Sequence, residues 1–208
     1  MKIAILGAGR VGLNLLAFLE KMNYEITVVD SDSELCDTLA SESRALIING
    51  DCSDPDVLDS LKLGEADYVF AVSGKEEVNF LSAIYAKHAG AKNVVARSEA
   101  VQHTKLLGKL GIKSLVPEVT LARELANQII NPTIFKMLTP GESNINLFEV
   151  TIPAKLNEKT IAEATKEPEV DIIAIFEGNK FVLPQPTDVL KEGQKAIVVG
   201  SGGRRHLA

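Results

Sequence analysis

The sequence predicts an α/β fold in which a doubly wound parallel sheet is followed by a second, smaller α+β domain. Six short runs rich in β-branched residues alternate with helical patterns, a glycine cluster separates the first run from the first helix, and the alternation ends after residue 137. Runs that are apolar on both faces, separated by amphipathic helices, describe a parallel sheet covered on both sides. Six strands joined by five helices make this domain Rossmann-like. The predicted strands are 2–6, 25–30, 44–48, 68–72, 93–96 and 114–116.

The helices between these runs begin at recognisable residues. Residues 11–22 carry apolar side chains at helical spacing, which predicts a first helix directly after the glycine cluster. Ser31, Asp54 and Ser98 are predicted N-caps, and Pro55 suits the first helical position after Asp54.

The later helices also end at recognisable residues. The patterns 75–88 and 99–110 are each followed by a glycine, Gly90 or Gly111, that suits a left-handed C-terminal cap. A last pattern, 118–130, should stop at the Asn-Pro pair that follows it, because proline cannot continue the hydrogen-bond ladder of a helix.

After residue 137 the pattern changes to short strands with turn-rich connections. A Thr-Pro-Gly junction at 139–141 precedes them, one small helix is predicted near 160–165, and the segment 177–179 is typical of a hairpin turn. The predicted strands are 147–152, 171–176, 180–183 and 196–199. The predicted domains are a Rossmann-like domain with its crossover helix at 1–137, a smaller α+β domain at 138–200 and a tail at 201–208.

The composition is that of an ordinary globular protein. The 208 residues carry a formal net charge of −6, and no apolar run approaches the roughly 18 residues of a membrane span. The absence of a basic tract argues against nucleic acid and anionic lipid as main partners. No signal-peptide pattern stands at the start, so a cytoplasmic location is expected. Cys36 and Cys52 lack metal-ligand spacing, so neither a disulfide framework nor a zinc site is expected.

The glycine cluster matches the dinucleotide-binding pattern G-x-G-x-x-G at Gly7, Gly9 and Gly12. Gly7 permits the tight turn, Gly9 lets a pyrophosphate approach the backbone, and Gly12 allows close packing of helix on sheet. Amides at the helix start then face the phosphates. Asp30, at the end of the second predicted strand, is placed to accept hydrogen bonds from ribose hydroxyls. The alternative is that the glycines only shape a turn, but the predicted strand, helix and Asp30 favour a nucleotide site.

Further polar residues fall at the predicted C-terminal ends of strands, where ligands bind in open α/β sheets. Asp51 is a candidate contact of an adenine, Ser73 of a ribose or pyrophosphate, and Arg97 of a phosphate or a neighbouring subunit. An ordinary loop-capping role is the alternative for all three. No arginine stands near Asp30 in the sequence to neutralise a 2′-phosphate, so NADP is the least expected dinucleotide.

The sequence contains no evident catalytic constellation. His88 and His103 fall within predicted helices and His206 in the tail, away from any strand end that carries a base. Glu77 and Asn79, at the start of the fourth helix, are interpreted as the polar face of a helix end rather than as a catalytic pair. A regulatory nucleotide therefore fits better than a reacting cofactor, and an NAD-dependent oxidoreductase is the alternative.

Six segments follow one another along nearly the whole chain. They are KIAILGAGRVG at 2–12, VVDSD at 28–32, GDCSDPDVL at 50–58, AVSGKEEVNFLSAIYAK at 71–87, VPEVTLARELANQIINP at 116–132 and IIAIFEGNKFVLPQPTDVLKEGQKAIVVG at 172–200. In this order they resemble the regulatory subunits of Trk and Ktr potassium-uptake systems, which consist of an N-terminal regulator-of-potassium-conductance (RCK) domain and a small RCK C-terminal domain.

The resemblance implies a non-enzymatic cytoplasmic protein, peripheral to the inner face of the membrane, that gates a membrane potassium-translocation subunit. Such proteins form homodimers that assemble into rings, which change with the bound nucleotide. It implies NAD(H), ATP or ADP as regulatory ligand and cyclic di-AMP as a ligand of the smaller domain. The apolar stripe Leu121, Leu125 and Ile129 is expected to pack on a partner subunit or across the domain junction, or alternatively on its own sheet. An accessory protein of another transporter is a further alternative.

The resemblance also implies the residues of the nucleotide site. The loop 7–12 would hold the phosphates, Asp30 the ribose, and Asp51 with Cys52 the adenine side. Arg10 and Arg97 are expected to sense an additional phosphate. The residues expected at the nucleotide are Gly7, Ala8, Gly9, Arg10, Val11, Gly12, Asp30, Ser31, Asp51, Cys52, Ser73 and Arg97.

Overall fold

The computed structural model describes residues 1–138, 146–165, 170–178 and 180–200. The chain divides into two compact units, Met1–Arg123 and Glu124–Ala208. This division falls inside a helix, whereas the sequence places the domain boundary after residue 137, which stays a prediction. Within the described residues, no helix combines the length and the apolar character needed to cross a bilayer.

Six parallel strands form the sheet of the first unit, in the order β3-β2-β1-β4-β5-β6. This order confirms the predicted doubly wound fold, because the chain builds outward from β1 to β3 and then returns to the other side of β1. The third strand starts later than the predicted 44–48, since the Arg44 N–H bonds to the Glu20 carboxylate (3.1 Å) instead of to a strand. The strands are β1 Lys2–Leu6, β2 Glu25–Asp30, β3 Leu46–Asn49, β4 Tyr68–Ala71, β5 Asn93–Arg97 and β6 Lys113–Leu115.

Helices connect these strands, and several of their predicted ends are confirmed. Asp54 caps its helix by accepting the Asp56 N–H, with Pro55 at the first helical position. Gly90 and Gly111 take positive φ values of 98° and 70° after their helices, as expected of left-handed caps. The helices are α1 Arg10–Leu19, α2 Ser33–Glu42, α3 Pro55–Ser60, α4 Glu76–His88 and α5 Val101–Lys109, with a 3₁₀ turn at Leu63–Glu65.

Two predicted N-caps are wrong. The cap of α2 is Asp32 rather than Ser31, because the Asp32 carboxylate accepts the Leu35 N–H at 3.1 Å. Ser98 is buried ahead of α5, which begins only at Val101. The Glu76 carboxylate of α4 accepts the N–H of Glu99, just after Ser98, at 2.8 Å.

Apolar side chains on the two faces of the sheet form two separate buried clusters. Alternate strand residues supply them: Leu6, Val29 and Val69 belong to one cluster, and Ile5 and Val28 to the other. Because both faces are covered, the strands read as continuous apolar runs in the sequence. The carboxyl ends of the strands are thereby held on a rigid frame.

Two helices follow the sheet, α6 Pro117–Ile130 and α7 Pro132–Leu138. The predicted stop of α6 is confirmed, but α7, which starts at Pro132, was not predicted from the sequence. Proline has no N–H, so it cannot continue the hydrogen bonds of the preceding helix. The first turn of a helix does not use its N–H groups in such bonds, so the same proline can begin the next helix. The apolar stripe of α6 is exposed: the relative exposures of Leu121, Leu125 and Ile129 are 60%, 53% and 84%.

The second unit contains an antiparallel sheet in the order β7-β10-β8-β9, which confirms the predicted smaller α+β domain. Buried apolar residues including Ile152, Ile175 and Leu190 form its core. The predicted junction 139–141, the tail 201–208 and residue 179 of the predicted hairpin turn lie outside the described residues. The elements are β7 Asn146–Thr151, a 3₁₀ turn Ala154–Leu156, α8 Ile161–Ala164, β8 Val170–Glu177, β9 Lys180–Val182 and β10 Lys195–Gly200.

We expect Gly12→Ala to lower the free energy of unfolding by about 1–3 kcal/mol, since overpacking against backbone has few ways to relax. A Cβ at Gly12 would lie 2.0 Å from the Gly7 carbonyl oxygen. Gly108→Ala is the matched control, because a Cβ at this position of α5 meets no atom within 4 Å. The control should gain about 0.5–1 kcal/mol from helix propensity. Urea denaturation followed by circular dichroism measures both, and equal effects would contradict the packing role of Gly12.

Candidate functional site

The loops after β1, β2, β4 and β5 meet at the carboxyl edge of the parallel sheet. We call this region the switch-point edge and define it as the loop 7–12 with Asp30, Ser73 and Arg97. The strand order reverses between β1 and β4, and open α/β sheets bind ligands at such a reversal. The structure therefore places the predicted glycine loop, ribose acid and arginine at one edge.

Gly7 is required both by its backbone conformation and by its neighbour. Its φ is 104°, a backbone conformation that residues with a side chain rarely adopt. Its N–H donates to the Val29 carbonyl at 2.8 Å. A Cβ at Gly7 would lie 2.5 Å from both the Cα and the backbone nitrogen of Ser73. The turn after β1 and the turn after β4 are thus in direct backbone contact.

Gly9 differs from the other two glycines because the protein itself does not require it. It is the N-cap of α1 with an ordinary φ of −66°, and a Cβ built there meets nothing within 4 Å. No side chain caps α1, and its first turn contains no acidic residue. An uncapped helix start presents free N–H groups and a positive dipole end to whatever approaches it. The backbone beside Gly9 therefore suits a phosphate, and that contact stays a prediction.

Asp30 joins two loops of the edge. Its Oδ2 accepts the Ala8 N–H at 2.6 Å, and its Oδ1 accepts the Asp32 N–H at 3.0 Å. Each carboxylate oxygen has more than one acceptor site, so a ribose hydroxyl can still donate to Asp30. Ser31, beside it, is exposed. Asp30 thus fixes the loop 7–12, and its role as the ribose acid stays a prediction.

Both remaining loop side chains, Arg10 and Val11, are exposed at the start of α1. The guanidinium of Arg10 carries its charge on the first residue of the uncapped helix. Its predicted role as a phosphate sensor is compatible with this position and stays a prediction.

Asp51 and Cys52 follow β3 and have different surroundings. The Asp51 carboxylate accepts the hydroxyl and the N–H of Ser53 at 2.6 and 2.7 Å, and these bonds hold its pKa below the usual value. The Cys52 thiol is buried in the core, 3.5 Å from the Val29 carbonyl oxygen that it faces as donor. Burial raises its pKa to about 12. The thiol therefore lies in the core rather than at the open edge, and the adenine contact of both residues stays a prediction.

Ser73, Arg97 and Asn79 form a hydrogen-bonded group across the ends of β4 and β5. The Ser73 N–H donates to Asn79 Oδ1 at 2.7 Å, and Asn79 Nδ2 donates to the carbonyls of Ser73 (3.1 Å) and Arg97 (3.3 Å). The Arg97 guanidinium donates through Nη1 to the same Ser73 carbonyl at 3.3 Å. The interpretation of Asn79 as part of a polar helix face is wrong, because Asn79 is only 2% exposed.

A signal for Asn79 was present in the sequence. Asn79, Ser82, Ala83 and Ala86 recur at helical spacing, and all four are the buried residues of α4. A stripe of small residues at this spacing marks a helix face that packs closely on a sheet. Asparagine on such a face must find buried partners, which a pattern of hydrophobic residues alone does not reveal.

Glu76, in the first turn of α4, binds the segment that leads into α5. Its Oε1 accepts the Glu99 N–H at 2.8 Å and lies 2.9 Å from His103 Nδ1. The bond with the His103 ring is the main cause that lowers the pKa of Glu76. The predicted assignment of His103 as a structural residue agrees with this geometry.

Two further features bear on metal or ligand binding outside the switch-point edge. No group of three or more His, Cys, Asp or Glu side chains in this part of the chain is arranged to hold a metal ion. A cavity of about 210 Å³ lies at the opposite, amino edge of the sheet, where Lys2 and Glu65 form an ion pair at 2.7 Å. It contains none of the residues predicted to bind a nucleotide.

We expect the Cys52 thiol to react with iodoacetamide at pH 8 at least about 100-fold more slowly in the folded protein than an exposed thiol, because a buried thiol of raised pKa contains almost no thiolate. Ser31→Cys supplies the exposed comparison at the same edge. Peptide mass mapping distinguishes the modified cysteines, and full labelling of Cys52 is expected once the protein is unfolded in urea. If Cys52 and the cysteine introduced by Ser31→Cys react at equal rates in the folded protein, the core position of Cys52 is contradicted.

Known proteins match the sequence of this chain over most of its length. The TrkA-N domain family matches residues 3–118. A relative named Trk system potassium uptake protein TrkA homolog, from Methanothermobacter thermautotrophicus, is 29% identical over 201 residues, covering 96% of this chain and 93% of the relative. A relative of the same name from Archaeoglobus fulgidus is 31% identical over 206 residues, and the alignment spans 96% of this chain but 47% of that protein.

Solved structures share the fold. The crystal structure of the GsuK RCK domain has a TM-score of 0.52 at 22% identity, with 96% of this chain and 43% of that chain covered. GsuK has also been solved bound to NAD and bound to ADP. The human SLO3 gating ring has a TM-score of 0.62 at 10% identity, covering 97% of this chain and 44% of that one. These likenesses establish the architecture. The family match over residues 3–118, more than half of the chain, shows that the chain belongs to the TrkA-N domain family.

Proposed function

We propose that this chain is a regulatory subunit of a potassium-uptake system that senses an adenine nucleotide and catalyses no reaction. The observation that carries the proposal is the geometry of the switch-point edge. There the start of α1 has no side-chain cap, and a Cβ at Gly9 beside it would meet no atom within 4 Å, so packing within the protein does not explain the glycine. The names of the relatives, which are Trk potassium-uptake proteins, support the transport role.

The proposed ligand is NAD(H), ATP or ADP, bound with its phosphates at the start of α1. Gly9 and the free amides of α1 would receive the phosphates, and Asp30 would accept the ribose hydroxyls. The solved complexes of GsuK with NAD and with ADP, a protein of the same fold, support this ligand class. Arg10 and Arg97 are the cations proposed to distinguish an additional phosphate. Binding of cyclic di-AMP by the smaller unit is proposed on the resemblance alone.

The proposed absence of turnover rests on how the ionisable groups of the edge are bound. Both oxygens of Asp30 accept backbone amides, and the Arg97 guanidinium donates to the Ser73 carbonyl. These bonds suit a ligand holder better than a group that must take up and release a proton in each reaction cycle. The competing hypothesis, an NAD-dependent oxidoreductase, requires a general base that the described part of this edge does not present.

The proposed partners are further copies of the chain, as a homodimer that assembles into a ring, and a membrane potassium-translocation subunit at the inner face of the membrane. The exposed stripe Leu121, Leu125 and Ile129 supports self-association, because an apolar surface of this kind is rarely left bare. A ligand shifts such an assembly only through a difference in affinity for its two states. Two nucleotides that differ in phosphate number would supply that difference at Arg10 and Arg97.

We expect the purified protein to bind NAD or ADP with one nucleotide per chain in isothermal titration calorimetry. Gly9→Glu should abolish binding while changing the melting temperature little, because the new side chain enters open space but opposes the phosphates in both volume and charge. Gly108→Glu adds the same charge on α5 and is the control that keeps binding. Oxidation or reduction of any small substrate with NAD(H), seen as an absorbance change, would contradict the non-enzymatic role.

We also expect a tagged chain to co-purify with a potassium-translocating membrane protein from detergent extracts of its own organism. In proteoliposomes containing both proteins, rubidium uptake should respond to added nucleotide, and Gly9→Glu should remove the response without removing the complex. Purification with a transporter of another solute would instead support the accessory-protein alternative. Light scattering should give a mass of at least twice the 22.4 kDa of one chain, and a monomer would contradict the proposed assembly.

A further inference from the structure

We propose that Asn79 is the positioning residue of the switch-point edge: its side chain holds the backbone ends of β4 and β5 in the arrangement that the nucleotide binds. The inference rests on the proposed nucleotide-binding function and assigns to it a buried residue that does not itself face the open edge. Asn79 lies on α4, whereas the glycine loop follows β1 and Asp30 ends β2.

Asn79 binds backbone groups at the strand ends that have no hydrogen-bond partner on a neighbouring strand. The last backbone bond from the β4 end to β1 is that of the Val72 N–H to the Leu6 carbonyl, at 2.8 Å. The next N–H, that of Ser73, donates instead to Asn79 Oδ1, and the Ser73 carbonyl accepts from Asn79 Nδ2. One side chain therefore replaces a strand partner for both backbone groups of Ser73.

The same amide group extends this control to β5. Asn79 Nδ2 also donates to the carbonyl of Arg97, the last residue of that strand, at 3.3 Å. Its two donor contacts and one acceptor contact all end on Ser73 and Arg97, and none ends on its own helix. A residue that served only to stabilise α4 would not need this distribution.

The position of Ser73 is transmitted directly to the glycine loop. With its Cα and nitrogen at 2.5 Å from the ideal Cβ position of Gly7, Ser73 occupies the space that a side chain on Gly7 would fill. A shift of Ser73 by a few tenths of an ångström would therefore open or close the contact that supports the phosphate loop. Asn79 controls this distance from behind the loop.

The position of Arg97 depends on the same bonds. Its Nη1 donates to the Ser73 carbonyl that Asn79 also binds, so the guanidinium and the amide share one acceptor. Its Nε is buried and has no hydrogen-bond partner among the described residues. Asn79 thus fixes both the backbone from which Arg97 extends and the carbonyl on which its guanidinium rests.

The test compares NAD and ADP binding to the wild-type chain, Asn79→Ala and Asn79→Asp by calorimetry. Asn79→Asp keeps the size of the side chain and the acceptor for the Ser73 N–H but removes both donor contacts, and it carries the test if Asn79→Ala does not fold. The matched control is Asn93→Asp, because exposed Asn93 also donates to a backbone carbonyl, that of Asp67 at 2.9 Å, but at the amino edge of the sheet.

We expect both Asn79 variants to bind the two nucleotides about tenfold more weakly or worse, the factor expected from a buried hydrogen bond, and the control to bind as wild type does. Amide signals in nitrogen-15 NMR spectra of the free protein supply the readout that general destabilisation would not give. The signals of Gly7 and Ser73 should move in Asn79→Ala, while those of β1 at the amino edge stay in place.

Each other outcome overturns the inference and shows where it fails. Equal affinities of wild type and both Asn79 variants would overturn the positioning role and leave the nucleotide site intact. A loss of the same size in Asn93→Asp would reduce the effect to general destabilisation. Failure of the wild-type chain to bind either nucleotide would overturn the proposed function together with the role of Asn79.

Discussion

The backbone contact between Gly7 and Ser73 is the constraint on which the rest of the switch-point edge depends. It joins the turn after β1 to the turn after β4, at the point where the strand order reverses. Gly7 makes a second close backbone contact at its carbonyl oxygen. Gly12 in α1 approaches this oxygen too closely for any Cβ. Gly7 is therefore packed from two directions, and the loop has little freedom. Such rigidity lets a ligand meet the loop without a large ordering cost.

Around this contact, a small number of polar side chains hold the loops by binding backbone groups. Asp30 binds the amides of Ala8 and Asp32, and Asn79 binds the ends of β4 and β5. A buried backbone group without a partner costs about 1–3 kcal/mol, so each of these side chains contributes to stability and to site geometry together. In the proposed function these residues hold a ligand rather than catalyse a reaction, because their bonds to the backbone fix their positions.

The proposed function requires a rigid edge that binds the ligand and also a surface that responds to it. These two requirements would fall on different parts of the chain. The sheet frame is covered on both faces by buried clusters, whereas α6 exposes an apolar stripe of Leu121, Leu125 and Ile129. In the proposed function, the nucleotide changes the balance between assembled states that meet through such exposed faces. The energy available for this change is the difference in nucleotide affinity between the states.

The sequence alone determined the strand succession, the glycine turn and the ends of most helices, because these follow from local periodicity and from the backbone preferences of glycine and proline. Gly7, Gly12 and Asp54 were predictable in this way. Only the tertiary structure decided what depends on residues distant in the sequence. The cap of α2 is Asp32 instead of the predicted Ser31, and Cys52 lies in the core. Asn79 is buried, although the sequence pattern predicted a polar helix face. The reason is physical: a polar side chain is placed by the partners it finds, and for Asn79 those partners are backbone groups on two strands that only the folded sheet brings together.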